Sequence, residues 1–215
     1  MFIDIQKEAE YIMPYNKSDY VQKNSGFYKK IEKLGGSLNL DLPPIDKKEM
    51  ELFINDNYCN FFKNKDGICI PPIASCSIIS SHKPLLKKLE DTFKMKVYTV
   101  YGYIKSEDRK FHFFTDAEIN QALTQKKFFK NHHAFILFEN GQLLDLTFIN
   151  TLMRAHEKYE MYEYIFSEAS TVYTPNELNL LYTLTSKSYF NYIPMYIGDL
   201  FSEDILYENS SSIDF

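Results

Sequence analysis

"NHHAFILFENGQLLDLTF", residues 131–148, decides how this chain is built. Two apolar runs flank Asn140-Gly141, a dipeptide that favours a tight turn between antiparallel strands. A β-hairpin is therefore expected. Two polar intrusions disturb it: a pair of histidines, His132 and His133, at its start, and Asp145 in its second strand. Cross-strand partners share a face of the sheet, so the loop length decides where these groups point. With a two-residue Asn140-Gly141 loop, Asp145 lies opposite Ile136 and faces away from His133. With a three-residue Glu139-Asn140-Gly141 loop, Gly141 takes the left-handed position and Asp145 lies opposite Phe135, one diagonal step from His133. Asn-Gly permits both.

Outward from the hairpin, the patterning alternates between helical and extended. "VYTVYGYI" (97–104) is β-branched and aromatic and reads as a strand, and "KFHFF" (110–114) as a short one. "TDAEINQAL" (115–123) opens with Thr115 and Glu118 at capping-box spacing, hence a helix. Upstream, "KKIEKLGGS" (29–37) ends a helix at its glycine pair. Asp46 and Glu49 cap another, whose stripe is Met50, Phe53, Ile54, Tyr58, Phe61 and Phe62. Ile78, Ile79, His82, Leu85, Leu86, Leu89 and Phe93 share one side of a helical projection, which Pro84 must kink or restart. "TPNELNLLYTL" (174–184) is a further capped helix, and "ENSSSIDF" (208–215) a loose tail. The order predicts an α+β fold, N-terminal helices packed on a mostly antiparallel sheet. No repeat or linker interrupts it, so residues 1–215 are read as one domain.

Bulk properties narrow the function. Seventeen tyrosines and eighteen phenylalanines in 215 residues indicate a packed aromatic core. The net charge is -5 and the basic residues are scattered, which does not suit a nucleic-acid partner. There is no apolar run of signal-peptide or membrane-span length, so a soluble protein made in the cytosol is expected, with export open only by a route lacking a cleavable signal. Three cysteines, Cys59, Cys69 and Cys76, are an odd number that argues against a disulfide framework. Cys59 reads as helix packing, and Cys69, followed by Ile70-Pro71-Pro72, as extended chain.

Cys76 differs. It falls about 120° from the centre of its apolar stripe, near the helix start, so it sits at the flank of the core. The positive end of a helix lowers a thiol pKa, and backbone N–H groups there can hold a developing oxyanion. If His133 and Asp145 are neighbours, the carboxylate fixes one ring nitrogen and leaves the other to act on that thiol. The structural alternatives are ordinary: Cys76 as a small core residue, His133 capped at a strand end, Asp145 at a solvated edge, and His132 as the base if the register slips by one. His82 reads as a satisfied core histidine, His112 as strand packing and His156 as a solvated helix face. A zinc site from Cys69, Cys76, His82 and one of the 132/133 pair has suitable ligands but unsuitable spacing, so no metal or other cofactor is expected.

The series Cys76, "VYGYI" with Gly102-Tyr103, His133-Ala134-Phe135, "ENG" and Asp145-Leu146-Thr147 resembles the transglutaminase-like branch of the papain-like thiol enzymes. There a Cys opens a helix, and a Gly-Tyr strand, a His-Ala-aromatic strand and an Asp follow in order. The resemblance covers residues 74–148. This chain departs from the pattern at Phe135, where Trp is usual, at Leu146, where Pro is usual, and at Pro84. The resemblance implies a papain-like core with Cys76 as nucleophile, His133 as general base and acid, and Asp145 as orienting carboxylate. It implies acyl transfer from a peptide or protein amide, by a peptidase, an amidase, or a glutamine deamidase or transglutaminase, through a thioester. The rival expectation is a catalytically inactive member of the fold that binds a peptide or partner protein. No sequence signal selects the acceptor, the oligomeric state, or an oxyanion partner among Asn57, Asn60 and Asn64.

Overall fold

The structure is a computed structural model that describes residues 2–4, 25–63, 76–105, 110–129, 131–148, 162–167, 171–173 and 189–201. The expected helix at 174–184, the tail at 208–215, Cys69 and His156 lie outside the described residues. The fold is α+β. In chain order come β1 (Phe2–Asp4), α1 (Ser25–Lys33), α2 (Lys47–Phe61), α3 (Cys76–Ser80), α4 (Lys83–Phe93), β2 (Val97–Lys105), β3 (Lys110–Phe111), α5 (Asp116–Gln125), β4 (His133–Phe138), β5 (Leu143–Asp145), β6 (Tyr162–Ser167), β7 (Thr171–Tyr173) and β8 (Tyr189–Ile197). The strands form one sheet in the order β1-β6-β5-β4-β2-β8-β7, with β3 beside β2. Every pairing is antiparallel except that of β1 with β6.

The hairpin takes the three-residue loop. Phe138 N donates to Gln142 O at 2.8 Å, Gly141 N donates to Phe138 O at 2.9 Å, and Gly141 adopts φ +88°. Ile136 pairs with Leu144 and Leu137 with Leu143, a register that carries Asp145 opposite Phe135. The tip is clamped by the preceding loop: Gln142 bonds both main-chain groups of Ile45, and Asn39 N donates to Glu139 O at 2.8 Å.

All six residues of β4 are buried, because the sheet is covered on both faces. Phe135 and Leu137 pack with Phe27, Tyr28 and Ile31 of α1, while Ile136 and Phe138 pack with α2 and α4 through Met50, Phe53, Ile54, Leu85 and Leu89. This double covering explains why both strands of the hairpin read as nearly continuous apolar runs. A third cluster closes the end of the sheet where β4 begins, joining Tyr101, Phe114, Ile119, Ala122, Ala134, Leu200 and Phe201.

Local chemistry sets the helix ends. Asp46 accepts from Lys48 N and Glu49 N, and Thr115 with Glu118 forms a reciprocal capping box. Pro84 does not kink a long helix. It starts a new one: α3 ends at Ser80, and His82 caps α4 by accepting from Leu85 N through Nδ1 at 3.3 Å. The expectation for Cys59 needs correction. It packs against the α2–α4 cluster, but it is also disulfide-bonded, while Cys76 is a free thiol. The odd cysteine count therefore did not exclude a disulfide at Cys59.

Candidate active site

Two hydroxyls tie α3 to the sheet. Ser80 Oγ donates to Ala134 O at 2.9 Å, and Thr99 Oγ1 donates to Ser80 O at 2.7 Å. This sets Cys76, the first residue of α3, beside the N-terminal end of β4. There Sγ lies 3.6 Å from the carbonyl oxygen of His132. Cys76 is half-buried, packed against the Tyr101 cluster, as its place on the helical wheel predicts.

His133 and Asp145 are both buried and in contact, with Nε2 2.6 Å from Oδ2. A carboxylate can only accept, so Nε2 carries the proton and Nδ1 is left free of the pair. Asp145 takes four further hydrogen bonds. Thr147 N (2.9 Å), Thr147 Oγ1 (3.1 Å) and Phe148 N (3.0 Å) donate to Oδ1, and the Tyr192 hydroxyl donates to Oδ2 at 2.8 Å. Burial alone would raise this carboxyl pKa. The charge and hydrogen bond of His133 and the two backbone N–H groups outweigh burial and hold it below the usual range.

The electrostatics of the thiol follow from its neighbours. Burial pushes the Cys76 thiol up, yet the imidazoles of His132 and His133, by hydrogen bonding and by charge, bring it down to about 6. As a neutral thiol Cys76 donates from Sγ to the His132 carbonyl, and His132 Nε2 has no hydrogen bond. The two rings therefore act on the sulfur through loose contacts and charge, as unliganded sites often do. Burial likewise opposes charge on His133, but Asp145 and the thiol outweigh it and raise the ring to about 10. Both shifts run toward the ion pair, a thiolate beside an imidazolium whose far side rests on a carboxylate.

Two residues outside the expected trio complete the setting. Tyr192 comes from β8, distant in sequence, and no motif distinguished it among seventeen tyrosines. His112 does more than pack a strand. It follows β3 with φ +58°, and its ring stacks on His133 at 5.6 Å. Burial and the neighbouring His133 lower its pKa to about 4, so it buttresses the imidazolium without adding charge at neutral pH. His82 is a helix cap and makes an edge contact with Phe61 and a tilted one with Phe62. Among the described residues no group of His, Cys, Asp and Glu is arranged to hold a metal ion. Nor is any described helix long and apolar enough to cross a membrane. No protein-family model, characterised protein or solved structure gave a match to this chain.

Proposed function

We propose that this protein is a cysteine-dependent acyl-transfer enzyme acting on an amide, a peptidase, amidase or glutamine deamidase/transglutaminase of the transglutaminase-like type. The observation that carries the reading is a free thiol, its pKa drawn down to about 6, beside an imidazole anchored 2.6 Å from a saturated buried carboxylate. That is the arrangement nucleophilic catalysis needs, because the thiolate is the attacking species and the imidazolium is the proton source for the leaving group. Cys76 attacks the carbonyl carbon, His133 protonates the departing nitrogen and later activates the acceptor, and Asp145 fixes the ring orientation. We favour water as acceptor, which makes the enzyme a hydrolase; an amine would make it a transferase.

Iodoacetamide tests the reading without a known substrate. The alkylation rate of Cys76 should rise with pH through about 6 and stay level across neutrality, where an ordinary thiol is still largely protonated. In His133→Ala the rise should move toward the ordinary thiol range and the rate at pH 7 should fall by about tenfold or more. Labelling that is slow and unaffected by His133→Ala would overturn the proposal and favour the inactive, peptide-binding alternative.

A further inference from the structure

Asp145 Oδ2 is shared. His133 Nε2 lies 2.6 Å from it and the Tyr192 hydroxyl donates to it at 2.8 Å, while Thr147 N, Thr147 Oγ1 and Phe148 N all donate to Oδ1. Tyr192 stands on β8, which β2 separates from β4, yet it reaches both members of the couple. Its ring lies 6.2 Å, centroid to centroid, from that of His133 and meets Phe135 edge-on at 5.0 Å. The side chain is buried. Burial and the charge of Asp145 push its phenol well above the ordinary range, so it remains a donor wherever the couple is charged.

The strand register delivers that hydroxyl. Tyr101 pairs with Tyr196, but Gly102 pairs with Pro194 and Ile104 with Tyr192, because the β2–β8 register shifts by one residue between Tyr101 and Gly102. In step with Tyr101, Ile104 would face Ile193 and Tyr192 would turn to the other side of the sheet. Gly102 also pairs with His133 of β4, so the shift puts Tyr192 on the face that His133 uses. A Cβ on Gly102 would collide with the Ile193 carbonyl, so the crossing needs glycine there. Bulges re-aim side chains, and the side chain re-aimed here is the second donor to Oδ2.

We infer that Tyr192 is a positioning residue that acts through Asp145: its hydroxyl takes a share of Oδ2 from His133 Nε2, which fixes the carboxylate and limits how firmly the couple holds the imidazole proton. The role rests on the proposed thiol chemistry and deepens it. An oxygen that serves two donors divides its charge between them, and removing one strengthens the bond to the other. In acyl transfer Sγ bonds to the carbonyl carbon, the C–N bond breaks, and the nitrogen leaves with the proton of His133 Nδ1, giving a thioester, an amine and a neutral imidazole. A general acid works best when its pKa lies near the working pH. Asp145 and the thiol raise His133 to about 10, and the Tyr192 hydroxyl opposes that rise by drawing on the same oxygen.

Imidazole NMR on histidine-labelled protein, together with iodoacetamide labelling of Cys76, tests the role. Tyr192→Phe keeps the ring and removes the hydroxyl. The His133 Nε2–H proton should move downfield, the His133 titration should rise by about half a pH unit or more, and Cys76 alkylation should set in at lower pH than before. Cys76, His132 and His112 also bear on that titration, and the variant leaves all three in place. A hydroxyl that merely props the fold predicts the reverse, because a loosened couple sends His133 down and Cys76 up toward their ordinary values. That reversal, or an unmoved Nε2–H proton, would overturn the role and leave the trio standing. Incorporation of 3-fluorotyrosine in place of Tyr192 retains the hydroxyl and makes it a stronger donor, so the same proton should move upfield; no movement there also counts against the role, whether or not Tyr192→Phe folds. Slow Cys76 labelling in the unmodified chain that His133→Ala leaves unchanged would overturn the thiol chemistry, and this role with it.

Discussion

At the scale of single residues, the molecule concentrates its electrostatic cost on Asp145. A buried carboxylate is tolerable only when its lone pairs are occupied, and five hydrogen bonds occupy them here. Asp145→Asn should therefore destabilise the fold by about 3–5 kcal/mol, because it leaves a buried imidazolium without its counter-charge. Chemical denaturation would measure this. The same variant should lower the His133 pKa and carry the Cys76 alkylation profile to higher pH. The pH dependence has a definite sign. The Cys76 pKa is depressed, so its contribution to stability is full above the ordinary thiol value and is lost as pH falls through about 6. The His133 pKa is raised, so its contribution is full below the ordinary imidazole value and is lost as pH rises through about 10. Between those limits the pair is charged on both sides. Sequence reading could single out Cys76, His133 and Asp145 because cysteine and histidine are scarce residue types and stand with an aspartate in a suggestive order; the structure brings His133 and Asp145 into contact. That reading did not single out Tyr192, which bonds Asp145, or His112, which stacks on His133, because a tyrosine in an aromatic-rich chain and a histidine between phenylalanines read first as core.

At the scale of elements, the hairpin register carries the site. A one-residue slip sends Asp145 to the other face, and Asn140-Gly141 alone leaves that choice open. The choice is made by contacts from outside the hairpin. Asn140 Nδ2 donates to Pro43 O at 3.1 Å, and Gln142 grips Ile45, so only the three-residue loop fits its cradle. The β2–β8 bulge is a second register device, and Gly102 is its requirement. Gly102→Ala would drive a Cβ into Ile193 O, so the strands must part. We expect a lowered melting temperature together with loss of rapid Cys76 alkylation, since Tyr101 and the neighbouring His133 depend on that crossing. The capped helices, by contrast, were legible from a few local residues, Asp46, Thr115 and Glu118, because a cap is satisfied within one turn of chain. Pro84 was ambiguous because a kink and a restart need the same residue; His82 decided the matter by capping.

At the scale of the whole molecule, three clusters divide the labour. The α1 face and the α2–α4 face sandwich β4, and the Tyr101–Phe201 cluster closes the end where the thiol lies. Cysteine usage follows the same division. Cys59, on the helical side, is bonded, and Cys76, at the start of α3, is free. Titration with a thiol reagent should therefore find one reactive thiol in the unreduced protein and three after reduction and denaturation. Two or three before reduction would show that the disulfide does not form. The cysteine count alone had argued against a disulfide framework.

The chain by itself determined what is local and periodic: the helical stripes, the caps, the turn at Asn140-Gly141, the apolar strands, and hence helices laid on a mostly antiparallel sheet. These need only interactions between near neighbours, whose geometry the backbone fixes in advance. Tertiary structure alone decided the hairpin register, the pairing of Asp145 with His133, the arrival of Tyr192 from β8, and the states of Cys59 and Cys76. Each of these depends on groups far apart in the chain, and the energy that selects among the alternatives comes from burial and from hydrogen bonds that exist only once the layers have closed.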